Sequence, residues 1–418
     1  MADPRAPMPP LRVLLSEGGS TSAREAITVL GLAGHHVEIC DPSPRCLGRF
    51  SRFVAKYHRC PGLGRDPAGY LRFIEGLLAQ EEFDVLLPIH EQGLLFAKVA
   101  PRLQGLTALA LPSFEAYRTA ISKAGFSRLL DELQLPQPST RLVTSAEQVR
   151  AEARAPCVIK TAIGTASRGV WLVRDADQLE DALRELAAID GFADEVLLQE
   201  FIEGAIEHAQ AVFAHGELLA MHAARRIAEG AGGGAAIKQS VRRDGVWADL
   251  ARIGRALEWH GALSVDYILP SDDASPRYID CNPRLVEPMG AKLAGLDLLE
   301  LLLKVSLGQH PPAAAESQAG MRTHLAMQAL LGCARDGGSR GDLFRECGDL
   351  LRRRGRYAES REELTPVRSD WLSAVPLTLT AALLLLAPSL AGPLAAKGWG
   401  DHLLDAGAVR RIDGEEIG

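Results

Sequence analysis

Apolar residues open the chain as an unbroken run, Leu11–Leu15, before a small polar turn, Ser16-Glu17-Gly18-Gly19-Ser20. From about Ser22 to Leu32 they recur at helical spacing; Gly34 stops that helix and Val37–Ile39 begins a second strand. This is a βαβ opening. A further helix is predicted over about Pro67–Gln80. Asp84-Val-Leu-Leu-Pro-Ile89 then has the continuous apolar character of a strand buried on both faces of a parallel sheet. These elements predict a small doubly wound α/β domain over 11–112, preceded by a disordered tail at 1–10. Ser113–Leu135 reads as one amphipathic connecting helix closed by Pro136 and Pro138.

Beyond it the rhythm shortens. Strands are predicted at Cys157–Lys160, Gly169–Arg174, Val196–Ile202, His208–Ala214, Glu217–Ala224, Ala262–Leu269 and Arg277–Cys281, with helices at about Asp177–Ala188 and Trp247–His260. This is an α+β pattern with antiparallel sheets, assigned to 113–310. Residues 311–418 read as a mainly helical extension, arginine-rich and then apolar. No internal repeat is present.

At 418 residues the length suits roughly three domains. An apolar fraction of 47% with 24% charged residues excludes a disordered or polytopic membrane chain. The formal charge of −7 gives no global electrostatic reason for a nucleic-acid partner. Seven scattered cysteines without a Cys-x-x-Cys pair suggest neither disulfides nor structural zinc, and fit a reducing cytoplasm. P-loop, three-glycine dinucleotide and His-Glu-x-x-His patterns are all missing.

The most informative segment is Ala262–Leu269, a turn, and Arg277–Arg284. A hairpin centred near residue 273 sets Asp266 opposite Asp280, with Asn282 on the same face as Asp280. Opposed carboxylates are unfavourable unless a cation lies between them. Two carboxylates and an amide suit magnesium completed by phosphate and water; the alternative is a surface hairpin with independently solvated aspartates. Lys160 ends an apolar strand before a small-residue loop, Gly164–Gly169, that reads as a phosphate cradle or as an ordinary hairpin loop. Lys123, alone, reads as a solvated helix face.

In order, these pieces resemble the ATP-grasp superfamily, especially carboxylate ligases like carbamoyl phosphate synthetase and biotin carboxylase. The similarity covers about Leu11 to His310. It implies an ATP-grasp fold with an N-terminal Rossmann-like domain and a lid at about 140–205. It also implies nucleotide contacts by Lys123, Lys160, Ser167 and the hinge Glu200, Phe201 and Ile202, with Glu207 on the ribose. Asp266, Asp280 and Asn282 match metal ligands, and Arg284, with Lys160, matches the catalytic cations on the transferred phosphate. Three departures stand out: Ser122 precedes Lys123 where an aspartate is usual, the loop around Ser167 has fewer glycines, and Asp280 replaces a glutamate. Arg225 through Lys238 resembles a mobile substrate-side segment, in which Arg225, Arg226 or Lys238 would hold a carboxylate; an ordinary linker is the alternative. Glu91, at a strand's carboxyl end, faces the acceptor or caps a helix.

The resemblance implies ATP with magnesium, manganese being a second cation for the same donors. The reaction it implies is carboxylate–amine ligation, or ligation to a related nucleophile, through an acyl phosphate. A carboxylase, a phosphotransferase and a silent nucleotide-binding, membrane-associated regulator are the alternatives. The expected partners are a small carboxylate and an amine-type acceptor, with no nucleic acid and with a homodimer allowed. Trp371–Ala396 carries no charge over 26 residues. Pro376, Pro388 and Pro393 leave only Leu377–Ala387 unbroken, a helix of roughly 16 Å against a bilayer core of about 30 Å. A short buried helix is expected there, with weak membrane or apolar-substrate contact as the alternative.

Overall fold

The computed structural model describes residues 8–164, 169–231, 233–271, 273, 275–312, 315–397 and 402–414. In the first domain β1 (Arg12–Leu15), β2 (His36–Asp41), β3 (Val54–Arg59) and β4 (Val85–Leu87) form a parallel sheet in the order β3-β2-β1-β4. Leu14, Leu15, Leu86 and Leu87 are fully buried, as an unbroken apolar run requires of a strand covered on both faces. The helix Thr21–Leu32 starts where the Ser20 hydroxyl accepts from the Ala23 amide. Gly18 lets the turn close, since a Cβ there would lie 2.7 Å from Ile39 Cδ1. β3 escapes the pattern analysis because it is a half-exposed edge strand, Val-Ala-Lys-Tyr-His-Arg, with little apolar alternation.

The predicted helix Ser113–Leu135 is two helices, Phe114–Ile121 and Lys123–Glu132. They break at Ser122, whose backbone is extended and whose hydroxyl accepts from the Gly125 amide. Serine competes with helical hydrogen bonding in this way. Lys123 therefore opens a new helix and is buried, instead of lying on a solvated face.

β5 (Thr140–Val143), β6 (Cys157–Thr161), β7 (Val170–Val173) and β8 (Val196–Glu200) form an antiparallel sheet in the order β5-β8-β6-β7. The helices Ala146–Glu152 and Ala176–Ala188 share its core around Val149, Ile159 and Leu186. A third sheet contains β9 (Gly204–Ala214), β10 (Glu217–Glu229), β11 (Ala235–Val241), β12 (Gly261–Pro270), β13 (Arg277–Asn282), β14 (Ala315–Glu316), β15 (Arg322–His324) and β16 (Ser360–Glu362). Its order is β13-β12-β9-β10-β11-β15-β16, with β14 on β10.

One expectation is corrected here. Arg225–Lys238 is no mobile segment: β10 runs on to Glu229 and β11 pairs back along it, Arg226 opposite Lys238. The region beyond 310 is mainly helical, and it also adds β15 and β16 to the large sheet. The helices Ala326–Arg335, Arg340–Arg352 and Ala374–Leu386 pack together through Leu330, Leu331, Leu343 and Leu384.

The expected buried helix is only half buried. Thr380 and Leu384 face inward, while Val375, Leu379 and Leu386 are 44%, 58% and 71% exposed. The helix is apolar on all sides, and the cap beneath it covers just one of them. Among the described residues no helix is long and apolar enough to cross a membrane. Residues 402–414 return to the first domain, where Leu404, Ala408 and Ile412 join the core of Tyr70, Leu71 and Phe96. Lys98 Nζ donates to the carbonyls of Ile412, Asp413 and Gly414 at the end of the helix Ala406–Asp413.

Candidate active site

The hairpin β12–β13 brings Asp266 opposite Asp280 and Ser264 opposite Asn282. The register slips by one at Ile279, a bulge that leaves its carbonyl off the ladder. Lys160 Nζ, from β6, donates to that carbonyl at 2.8 Å. Asn282 Nδ2 donates to Asp266 at 3.2 Å. Burial first, and the Asp280 carboxylate second, push Asp266 up to about 7. Two facing, half-buried carboxylates suit a hard divalent cation that takes its remaining ligands from phosphate and water. Among the described residues no group of three or more His, Cys, Asp and Glu side chains is placed to hold a metal; beside the two aspartates the hairpin presents the Asn282 amide.

Both lysines converge on the hairpin. Lys123 Nζ lies 3.2 Å from Asp280 Oδ1 and donates to the Gly164 carbonyl at 2.7 Å, tying the loop after β6 to the large sheet. Burial, with Lys123 adding to it, lowers Lys160 to about 8 despite Asp280 and Asp266. Ser167 lies outside the described residues.

Arg284 is buried and reaches Asn282 Oδ1 at 3.2 Å and the Ser22 hydroxyl at 3.4 Å, so it stands where the first domain meets the large sheet. Burial lowers its pKa against the pull of Glu91 and Glu17. His90 and Glu91 share with Lys123, Asp280 and Arg284 a void of about 20 Å³, room for one water. Glu91 stands at the start of the helix Gln92–Lys98 without capping it; its carboxylate accepts from the Leu404 amide instead.

A cavity of about 420 Å³ opens between the two antiparallel sheets. Glu200, Phe201 and Ile202, the crossing from β8 to β9, line it with Val158 and Ile268. Glu207 also reaches it, but its carboxylate is committed: it accepts from Arg225 Nε at 2.7 Å, Arg243 at 2.6 and 2.8 Å, and the Tyr267 hydroxyl at 3.0 Å. Burial would raise Glu207, yet these bonds hold it below the usual carboxylate range. Glu207, expected on the ribose, lines this cavity with its carboxylate paired to Arg225 and Arg243. Arg225 belongs to that pairing and is not on the cavity wall, whereas Arg226 and Lys238 are, as the strand's alternation requires.

Pattern analysis missed the acidic end of this cavity. Lys238 Nζ donates to both Glu287 and Glu363, the latter at 2.6 Å. His208 lies 3.2 Å from Glu287, and Glu25 is buried close by, accepting from the Met289 amide. Burial raises Glu363 to about 7, while Lys238 overcomes burial to hold Glu287 low. Glu287 follows Arg284 closely and could have been reached by reading on past β13. Glu363 has no local signal, since only the pairing of β16 with β15 brings it in.

The sequence profile of the ATP-grasp domain matches residues 120–288. The chain carries an ATP-grasp domain. The match ends at Pro288, just past Glu287, and contains the hairpin and both lysines. The carbamoyl phosphate synthase large chain of Deinococcus radiodurans is 27% identical over 210 residues, 47% of this chain; the chain spans about a fifth of that relative's length. Among solved structures, the ADP complex of N5-carboxyaminoimidazole ribonucleotide synthetase superposes with a TM-score of 0.59 at 14% identity, covering 90% of this chain and 98% of that one. The L-amino acid ligase of Bacillus licheniformis gives 0.55 at 16% identity, covering 72% and 75%. These likenesses extend the ATP-grasp fold to both sides of the profile match.

Proposed function

We propose that this chain is an ATP-dependent ligase that joins a carboxylate to an amine through an acyl phosphate. The observation that carries the reading is the convergence of Lys123, Lys160, Asp266, Asp280, Asn282 and Arg284 on one cavity. Phosphoryl transfer asks for placed cations and a divalent-metal site rather than a side-chain nucleophile, and that is the donor set present. Adenine fits the apolar faces of Val158, Phe201, Ile202 and Ile268, with peptide edges of the crossing strand beside it. Asp266, Asp280 and Asn282 would hold magnesium or manganese, which supplies charge neutralisation of the transferring group.

Lys123 and Lys160 neutralise phosphate oxygens. The substrate carboxylate oxygen attacks the γ-phosphorus, the bond to the bridging oxygen breaks and ADP leaves. The amine nitrogen then attacks the acyl carbon, loses a proton, and phosphate departs. Arg284, aligned by Asn282 and Ser22, offers the planar two-pronged grip that suits a phosphoryl group. On the acceptor side Arg226 is the cation for a carboxylate, and Glu287 the fixed negative charge for an amine. The seven cysteines are all free, which suits a reducing, ATP-rich compartment.

The test is phosphate release from magnesium-ATP across pairs of carboxylates and amines, with bicarbonate as a separate arm, followed by mass spectrometry of the product. Release that needs both partners, with ¹⁸O moving from carboxylate to phosphate, supports the reading. Release with bicarbonate in place of the organic carboxylate, and formation of a carbamate on the amine, favour a carboxylase instead.

A further inference from the structure

We propose that the helical cap of residues 326–397 is a docking surface for an anionic lipid bilayer. The helix Ala374–Leu386 presents Val375, Leu379 and Leu386 outward, at i, i+4 and i+11, so they form a single stripe. Trp371, 64% exposed, continues that stripe one turn earlier; tryptophan favours the level of lipid headgroups. On the neighbouring helix Arg340–Arg352, Phe344 and Leu351 are 66% and 85% exposed and seven residues apart, again one face. Exposed aliphatic and aromatic side chains grouped in this way mark an interaction site.

Charge selects the occupant. Leu351 is followed directly by Arg352, Arg353 and Arg354, all exposed, and none of the three forms a side-chain ion pair among the described residues. Arg340 stands at the far end of the stripe, its guanidinium donating to the Leu386 carbonyl at 2.7 Å. Apolar side chains bordered by unpaired arginines fit acyl chains beneath phosphate headgroups. A second copy of this chain fits poorly, because a two-fold contact here would set arginines against arginines. The chain as a whole carries −7, so an anionic surface repels the rest of the molecule and leaves this cap to make contact. The helix, 13 residues long, rises about 20 Å and lies along the interface rather than across it.

The cap also touches the catalytic cavity. Ala231, in the β10–β11 turn, packs in the same cluster as Leu384. Gly233, Gly234 and Gln328 line the cavity. Docking thus holds the cavity rim beside the bilayer.

Co-sedimentation of the full chain with phosphatidylcholine vesicles, with and without an equal share of phosphatidylglycerol, tests the proposal. Binding is expected only to the anionic vesicles. It should weaken by about tenfold or more in Leu379→Glu/Leu386→Glu and in the triple Arg352→Glu/Arg353→Glu/Arg354→Glu variant. Both variants should keep the thermal shift given by magnesium-ATP, which shows that they fold. Absence of binding to anionic vesicles, or binding indifferent to both variants, overturns the proposal. So does a wild-type dimer in light scattering that Leu379→Glu/Leu386→Glu converts to monomer, because the stripe is then a subunit interface.

Discussion

At the scale of single residues, the site depends on charges held in little solvent. Lys160, lowered to about 8 by burial and Lys123, must be protonated to meet phosphate. Nucleotide affinity is therefore expected to fall as pH rises through about 8, by about tenfold at one unit above it. The free chain should show the opposite sign: its native state binds fewer protons than the unfolded one between about 8 and the ordinary lysine value, so its stability rises across that window. Titration calorimetry with magnesium-ADP and urea melts from neutral to alkaline pH check the two halves, and a flat affinity profile would remove Lys160 from the phosphate site. Asp280→Asn should lower turnover by about 100-fold or more with the melting temperature nearly unchanged, since it removes a charge and keeps the shape. Arg284→Lys should lose a similar factor, a point charge being unable to span both Asn282 and a phosphoryl group. Steady-state rates at saturating substrate decide both.

At the scale of elements, the pattern of apolar positions was a good guide wherever a strand is buried on one or both faces. β1, β4, β9 and β12 are legible for this reason, and the Asp266–Asp280 register followed from counting across the turn. Legibility failed where side chains answer to neighbours distant in sequence. Ser122 breaks a helix that its flanking apolar spacing continues, β3 is an edge with too few apolar residues to alternate, and β11 is a strand because β10 and β15 flank it. The Lys238–Glu287–Glu363 group is the clearest loss, assembled from β11, the segment after β13 and the residue just past β16. Lys238→Met leaves those glutamates and Glu25 buried together, and should cost about 3–5 kcal/mol in alkaline solution. The cost should shrink in acid, where Glu363, already raised to about 7, takes a proton. Denaturant unfolding at the two pH values measures the difference, and an equal loss at both would contradict the pairing.

At the scale of the whole molecule, the three sheets are bound by contacts that span most of the chain. Arg24 of the first domain pairs with Asp370 at 2.8 Å, both fully buried, and Ser51 also donates to Asp370. Ile412, fully buried in the first domain's core, should cost about 2–4 kcal/mol when replaced by alanine. Because those contacts join the ends, the melting transition should shift as one step rather than split, which calorimetry would show. The strap of residues 402–414 has a consequence for synthesis. A ribosome makes about 5–20 residues per second, and Ile412 follows its partner Lys98 by 314 residues. The first domain's sheet therefore emerges about 15–60 seconds before the helix that completes its core. During that interval the apolar surface around Tyr70 and Leu71 is open to chaperones, and the nascent domain stays cleavable by protease until the strap arrives.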